Sequence, residues 1–201
     1  KKSTMRNMEI TNTIIFNLFA GPGAGKSTGA AFIFSQLKLA GVDAELVTEF
    51  AKDKVWEKSD SLVFKSQLYI FGEQSWRMSR CKDKVQVIVT DSPLILQSLY
   101  VDKSEPWYDS FLDVVKKEFN KYKNKNYFIR RSKDYNPNGR NQNEEEAKKL
   151  DSTLITLLND FNIPYDTVAG NIEGYMQIVE EVLQELKNLN EVYCIVVNLM
   201  E

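Results

Sequence analysis

A glycine-rich segment between two apolar stretches constrains this chain more than any other feature. Four of the nine glycines fall between residues 21 and 29. The preceding run, Thr13–Phe19 (TIIFNLF), is β-branched and aromatic, which is typical of a buried strand. The following run, Ala30–Leu39 (AAFIFSQLKL), has helical composition and is followed by Gly41, a common stop signal for helices. The sequence therefore predicts a strand, a tight glycine loop and a helix, in that order.

The segment Ala20–Thr28 (AGPGAGKST) fits the phosphate-binding pattern G-x-x-x-x-G-K-[ST], with alanine at the first glycine position. Glycines let successive backbone N–H groups converge on one concavity, and the helix that follows contributes its positive end. In this pattern Lys26 reaches the β- and γ-phosphates of a nucleotide and Ser27 is a ligand of Mg²⁺. The alternative is a turn that merely connects strand to helix, and the flanking strand and helix disfavour it. The predicted nucleotide-binding residues are Gly21, Gly23, Ala24, Gly25, Lys26, Ser27 and Thr28.

Strand-like and helix-like runs alternate along the rest of the chain. Further strands are predicted at Ala44–Thr48, Val85–Val89, Tyr127–Arg130 and Tyr165–Val168. Further helices are predicted at Leu62–Arg80, Pro106–Tyr122, Glu144–Asp160 and Asn171–Leu189. This alternation implies an α/β fold, a three-layer sandwich whose mostly parallel five-stranded sheet has helices on both faces. The run Val192–Leu199 is a further candidate for a strand at an edge.

Acidic residues end two of the predicted strands, and open α/β sheets bind ligands at the carboxyl ends of their strands. Asp91 closes VQVIVTDSP, the Walker B form, which predicts a carboxylate near Mg²⁺; a helix cap before Pro93 is the alternative. Glu49 closes the second strand and is predicted to accept the proton of an acceptor hydroxyl or to help hold the metal, unless it only stabilises a helix start. Ser92 stands where hydrolytic motor ATPases commonly place a glutamate, which favours transfer to an acceptor.

The chain has a net charge of −2, but Val114–Arg140 carries nine Lys or Arg residues against two acids, a net of +7. Phosphoryl transfer needs cations that close over the transferring group and exclude water. We therefore predict a lid at about residues 130–143, in which Arg131 and Arg140 act on the transferring group and Arg130 contacts the nucleotide. The lysines are more typical of a solvated helix face. The same patch also suits a nucleic-acid backbone, and the sequence leaves both readings open.

The segment between the second and third strands contains amides and aromatic side chains that suit an acceptor molecule. Kinases of this topology commonly hold the acceptor with helices in this region. The predicted acceptor-binding residues are Gln67, Tyr69 and Arg77. Most of the other aromatic residues there are more typical of a core.

Composition narrows the chemistry further. The chain of 201 residues has no histidine and two cysteines. A Ser-His-Asp triad, a histidine base, a histidine-rich zinc site and a four-thiolate metal cage are therefore excluded. Catalysis must use carboxylates, Lys, Arg, hydroxyls, backbone amides or a hard cation. The length suits one domain, and no apolar run approaches the roughly 20 residues of a membrane span.

The motifs above resemble those of the P-loop kinase group, which contains nucleoside and nucleotide kinases. The likeness is greater to phage-encoded "AAA domain" or nucleotide-kinase-like proteins and to the ribosylnicotinamide kinase domain. It is carried by the P-loop and by LVTEFAKD, QLYIFGEQ, VIVTDSPL and NYFIRRSKDYNPNGR, and it covers about residues 13–185. The resemblance implies ATP and Mg²⁺ as cofactors and a P-loop NTPase core of five parallel strands with a lid. It leaves the acceptor open, because members act on nucleosides, nucleotides, other small molecules and, in some phages, a hydroxymethylated pyrimidine within DNA.

We therefore expect residues 13–201 to form a single P-loop kinase domain that transfers the γ-phosphoryl group of ATP to a nucleoside, a nucleotide or a related hydroxyl or phosphate acceptor. Two alternatives stay open: a DNA-modification kinase, and a nucleotide-dependent binding switch with slow ATP hydrolysis. Residues 1–12 are expected to be a disordered tail or a remnant of cloning. The expected compartment is a reducing cytoplasm, that of the host if the chain is phage-encoded, with no membrane partner.

Overall fold

The computed structural model describes residues 13–132 and 144–200 of the chain. The strands are β1 (Ile14–Phe19), β2 (Ala44–Val47), β3 (Val87–Thr90), β4 (Lys123–Arg130) and β5 (Asp166–Ala169). The helices are α1 (Lys26–Leu39), α2 (Phe50–Trp56), α3 (Asp60–Val63), α4 (Gln67–Ser79), α5 (Tyr108–Phe119), α6 (Glu144–Asp160) and α7 (Ile172–Met200). A 3₁₀ helix, Leu94–Leu99, follows β3. No helix in these ranges has the length and apolar character that crossing a membrane requires.

The five strands form one parallel sheet in the order β2-β3-β1-β4-β5. β1 is the central strand, and all six of its residues are buried, as expected for a parallel sheet that is covered on both faces. Because all strands point the same way, the segments that follow β1, β3 and β4 meet at one edge of the sheet. Open α/β sheets bind their ligands at this edge. The predicted α/β class and five-stranded parallel sheet are confirmed.

Alternate residues of β1 enter two separate hydrophobic cores. Ile14, Phe16 and Leu18 pack with α1 and α7 on one face of the sheet. Ile15 and Phe19 pack with α4, α5, α6 and the 3₁₀ helix on the other face. This division follows from the two-residue period of a strand. The result is the predicted three-layer sandwich of helices, sheet and helices.

β4 begins at Lys123, earlier than the predicted start at Tyr127. The additional residues (KNKN) are polar, so hydrophobic patterning does not reveal them as part of a strand. Their partners explain the difference: the buried amide of Asn17 on β1 donates to Asn124 Oδ1 at 2.9 Å and to Asn126 Oδ1 at 3.0 Å. This ladder satisfies a buried polar group and matches the observed register of β1 with β4.

The predicted edge strand at Val192–Leu199 is wrong, because the chain there continues α7 to Met200. No glycine or proline follows Gly174 in the sequence, so no breaker stops the helix before this β-branched run. The strand propensity of the run is therefore overridden. The predicted helix at Leu62–Arg80 also differs, since it divides into α3 and α4.

Candidate active site

The loop between β1 and α1 adopts the tight conformation that its glycines permit. Gly23 and Gly25 have φ angles of 83° and 101°, in the left-handed region that side chains disfavour. Gly25 directly precedes α1, so the amides that follow it lie at the positive end of the helix dipole. The Lys26 ammonium donates to the carbonyl oxygens of Ala20 at 2.6 Å and Gly21 at 3.2 Å. The lysine side chain thus reaches back across the loop that binds phosphates in proteins with this motif.

Three carboxylates influence this lysine. Burial lowers the pKa of Lys26, while the charges of Glu49, Asp91 and Asp151 act in the opposite direction. Glu49 and Asp91 are the two predicted strand-end acids, whereas Asp151 was not predicted. The P-loop cation therefore lies among acids from three separate parts of the chain.

Tyr175 on α7 packs against the junction between the P-loop and α1. Its hydroxyl donates to the Gly25 carbonyl at 3.0 Å. A Cβ added at Gly29 would lie 2.5 Å from the Tyr175 ring, so this close approach requires glycine. The sequence analysis missed Tyr175, although it shares an apolar stripe with the buried Ile178 and Val182 of the same helix. Tyr175 holds the loop from the side of the sheet that α7 covers.

Asp91 follows β3 and is only 4% exposed. Its Oδ1 atom is buried and, within the described ranges, has no hydrogen-bond partner. The 3₁₀ helix that begins after Pro93 has no side-chain cap, so Asp91 does not play the alternative capping role. A buried carboxylate oxygen without a donor is unusual. It is the kind of atom that a hard cation, or a water bound to one, would satisfy.

The oxygen ligands near Asp91 fit a magnesium ion bound together with a nucleotide. Among the residues that the structure describes, no group of three or more Asp, Glu, Cys or His side chains is arranged to hold a metal. Mg²⁺ needs fewer protein ligands, because it keeps several waters and binds nucleotide phosphates. The Ser27 hydroxyl and the Asp91 carboxylate line the same cavity and would supply oxygen ligands of this kind.

Glu49 lies directly before α2, but its carboxylate makes no capping hydrogen bond. Burial raises the pKa of Glu49; Lys26 opposes this shift and Asp91 adds to it. Burial and the charge of Glu49 also raise the pKa of Tyr100 to about 12. Glu49 is therefore a desolvated carboxylate whose oxygens are not used by the helix, a common property of functional acids.

A cavity of about 240 Å³ opens between α1, α2 and the carboxyl ends of β2 and β3. Its wall includes Ser27, Thr48, Glu49, Lys52, Trp56 and Asp91. The structure thus brings together the P-loop serine and both strand-end acids. Trp56 was not predicted, although Lys52 and Trp56 follow Glu49 at spacings of three and seven residues, which favour one helix face.

The three predicted acceptor residues lie on or near α4 and do not line this cavity. Gln67 is the first residue of α4, and Tyr69 packs edge-on against Phe50 with ring centroids 5.5 Å apart. Arg77 forms an ion pair with Asp53 of α2. Arg77 therefore supports the helix that carries part of the cavity wall. Direct contact of these three residues with an acceptor stays a prediction.

Arg131 links the end of β4 to the P-loop. Its Nη1 donates to the Pro22 carbonyl and its Nε to Asp151 Oδ2, both at 2.6 Å. Asp151, on α6, also accepts a hydrogen bond from the Gly21 amide, 2.5 Å from Oδ1. The Arg131 and Asp151 side chains are only 15% and 17% exposed. We refer to this pair and its contacts with the P-loop as the Arg131–Asp151 clamp.

The position of Asp151 in the sequence also indicates that it is largely buried. It lies on the same stripe of α6 as the buried residues Ala147, Leu154 and Leu158, since all are three or four residues apart. A charged residue within an apolar helix stripe indicates a buried polar partner. Here the partners are Arg131 and the P-loop amide.

The remaining predicted site residues, Arg130, Thr28 and Arg140, are not among those that the structure brings together at the cavity. The side chains of Arg130 and Thr28 are exposed, and the Arg130 carbonyl accepts from the Gly170 amide at 2.8 Å. Arg140 lies outside the described residues, as does the predicted lid from residue 133 to 143.

Within the described part of the +7 segment, the lysines have partners away from the P-loop. Lys123 pairs in the sheet with Ile14, the first residue of β1, and so lies at the amino end of the strands. Lys123 and Lys125 both form ion pairs with Glu185 on α7, at 2.6 and 3.3 Å. Lys117 and Lys121 pair with acids of their own helix region. The basic segment is therefore divided between two ends of the sheet.

The sequence matches a known protein family, and the structure is similar to solved structures. The family described as an AAA domain matches residues 16–174, a range that contains the P-loop, both strand-end acids and the Arg131–Asp151 clamp. No curated protein matches the sequence. Among solved structures, the thymidylate kinase from Ehrlichia chaffeensis is similar, with a TM-score of 0.53 and 12% identity over 87% of this chain and 98% of that chain.

At such a low identity, the structural similarity is evidence for a shared fold alone, and it leaves the substrate open. The family match, by contrast, extends over most of the sequence and begins inside β1. This protein therefore belongs to the AAA domain family, and it has the fold of a P-loop kinase.

Proposed function

We propose that this protein is an ATP-dependent kinase that transfers the γ-phosphoryl group to a nucleoside-like, nucleotide-like or related small acceptor. One observation carries the proposal: Ser27, Glu49 and Asp91, from three separate elements, line one cavity beside the P-loop lysine. A nucleotide-binding loop alone fits any P-loop protein. A cavity that adjoins it and carries a desolvated carboxylate also provides a place for an acceptor to react.

The proposed roles follow from charge and position. Lys26 and the P-loop amides bind the β- and γ-phosphates of ATP. Ser27 and Asp91 would hold Mg²⁺, which neutralises charge on the phosphates when it is bound. Glu49 orients the nucleophilic group of the acceptor and takes up its proton. Arg131, held beside the loop by Asp151 and the Pro22 carbonyl, supplies positive charge near the transferring group.

The proposal favours transfer over a binding switch with slow hydrolysis. Ser92, the neighbour of Asp91, is buried and its amide donates to Thr90 Oγ1 at 3.1 Å. It is not a carboxylate that polarises water. A switch needs no acceptor cavity, so the adjacent cavity supports a kinase.

A transfer assay with labelled ATP and Mg²⁺ tests this proposal on a panel of nucleosides, nucleotides and oligonucleotides. We expect labelled product from at least one acceptor, and we expect Lys26→Ala to abolish it because the phosphates lose their main cation. Lys38→Ala is a matched control, since Lys38 lies exposed near the far end of the same helix. Slow ATP hydrolysis that no acceptor accelerates would contradict the proposal and favour the switch.

A further inference from the structure

The cavity beside the P-loop has an acidic wall. Among the residues that the structure describes, Glu49, Asp53 and Asp91 line it together with one cation, Lys52. The charge of Asp53 is balanced by its ion pair with Arg77, but Arg77 itself is not part of the wall. Lys26 is placed to serve the phosphates of ATP. Asp91 is assigned to Mg²⁺, but Glu49 has, in the described part of the chain, neither an ion-pair partner nor an assigned metal. An acceptor that already carries a phosphate would therefore bring its negative charge toward Glu49, and like charges at close range oppose binding.

Glu49 adds a chemical reason for the same conclusion. A phosphate acceptor is already ionised near neutral pH and needs no base in order to attack. A hydroxyl acceptor must lose a proton as its oxygen bonds to phosphorus, and a nearby carboxylate with a raised pKa is suited to receive it. A partly buried carboxylate base on the cavity wall is useful only for the second kind of acceptor.

Trp56 gives the cavity a flat apolar surface. It is 71% exposed although it lines the cavity, so its ring is accessible to a ligand. It lies at the end of α2, seven residues after Glu49. Aromatic rings of this kind bind nucleobases and other planar groups by stacking. The wall thus combines a proton acceptor that directly precedes α2 with a stacking surface at the end of the same helix.

We infer that the acceptor is an uncharged molecule with a reactive hydroxyl and a planar ring, of the nucleoside class, and that it binds between Glu49 and Trp56. This inference rests on the proposed kinase function and narrows it. In the reaction, the acceptor oxygen forms a bond to the γ-phosphorus while the bond from the γ-phosphorus to the bridging oxygen of ATP breaks. ADP leaves with that electron pair, and the hydroxyl proton passes to Glu49.

The test compares kcat/KM for common nucleosides, their 5′-monophosphates, ribose and a single-stranded oligonucleotide, with ATP and Mg²⁺ present. We expect the best nucleoside to exceed its monophosphate by roughly 100-fold because of the acidic wall. We expect Trp56→Ala to raise the KM of that nucleoside by roughly 5- to 150-fold, the range for loss of one stacked base, with a smaller effect on kcat. Trp56→Phe keeps a ring and should restore most of the affinity.

Trp76→Ala is the matched control, because Trp76 is 65% exposed on α4 but does not line the cavity. The KM of the Trp76→Ala variant for the nucleoside should stay at the wild-type value. Circular dichroism verifies that each variant is folded. A preference for monophosphates or for the oligonucleotide would overturn this inference while the kinase function stands. So would equal use of ribose and nucleosides, or an equal effect of the two tryptophan substitutions. If no acceptor is phosphorylated, the inference falls together with the proposed function.

Discussion

The two ends of β4 carry the same kind of charge but differ in what they contact. At the amino end, Lys123 and Lys125 pair with Glu185, whose side chain is 25% exposed. At the carboxyl end, Arg131 is largely buried and its partner Asp151 also binds the P-loop. The strand rise separates these ends by about 23 Å. The described part of this basic segment therefore contains both lysines with structural partners and an arginine that contacts the P-loop.

This difference shows why net charge along a sequence is a poor guide to a binding surface. Cations at both ends of β4 have a carboxylate partner that offsets part of their charge, so net charge alone does not distinguish the two ends. The clamp, by contrast, joins three elements that are distant in sequence. On this account the carboxyl end of β4 governs activity, whereas the amino end contributes modestly to stability.

The largest expected difference between the two ends comes from removing one cation at each. Arg131→Ala should lower kcat by roughly 10³-fold, the lower range for an arginine that stabilises charge in phosphoryl transfer. Lys125→Ala, at the other end of the same strand, should leave kcat at the wild-type value. Steady-state kinetics on folded variants measures both. Similar losses at the two ends would remove the distinction between them.

The next largest effect is expected in the pH dependence of activity, which reports on Glu49 at the carboxyl edge of the sheet. The pKa of Glu49 is raised, so its ionised form is lost at a higher pH than that of an ordinary carboxyl. The kcat/KM for the acceptor should therefore fall as pH decreases through this raised pKa. Glu49→Gln should lower kcat/KM by about 10²-fold or more and abolish this acidic limb. A limb that persists in the variant would assign it to another group.

The clamp is tested by Asp151→Asn, which keeps the shape of the side chain but removes its charge. We expect kcat/KM for ATP to fall roughly 10- to 100-fold, because a hydrogen-bonded charge is worth about 1.5–3 kcal/mol. Glu145→Gln is a control at an exposed position of the same helix. In the double variant with Arg131→Ala, the second substitution should add little. Fully additive losses would mean that Asp151 does not act through Arg131.

The smallest effect is expected at the amino end. The hydrogen bond from Lys123, with help from Lys125, lowers the pKa of Glu185. The interactions that lower this pKa stabilise the fold at pH values above the ordinary pKa of the carboxyl group. Their contribution is lost as the pH falls through the lowered pKa of the folded state. Glu185→Gln should therefore lower the free energy of unfolding by no more than about 1 kcal/mol near pH 7. Urea unfolding at pH 7 and at pH 3 measures this, with activity unchanged.

The sequence predicts those parts of the site that depend on strand ends. The P-loop, Glu49 and Asp91 each follow an apolar run, and parallel strands bring such positions to one edge. Asp151 and Tyr175 reach the P-loop only through the packing of α6 and α7, which pattern alone does not orient. Trp56 lies seven residues after Glu49, but this spacing places the two residues on one face only once the short helix α2 is known.

In the fold as well, some elements follow from local sequence, and others depend on residues that are distant in the sequence. Hydrophobic runs locate the strand cores, but the polar start of β4 depends on Asn17, which lies more than a hundred residues earlier. The end of α7 depends on the absence of a breaker and not on the β-branched residues that it contains. Local composition therefore identifies elements well where burial alone forms them, and poorly where a specific partner is needed.

The most direct test of the central claim measures ATP consumed and phosphorylated acceptor formed in the same reaction. We expect equal amounts of ADP and phosphorylated acceptor in the wild-type protein and in Lys125→Ala. In Arg131→Ala and Glu49→Gln we expect both amounts to fall together. ADP that accumulates at the same rate with and without every acceptor, and without a phosphorylated product, would contradict the account.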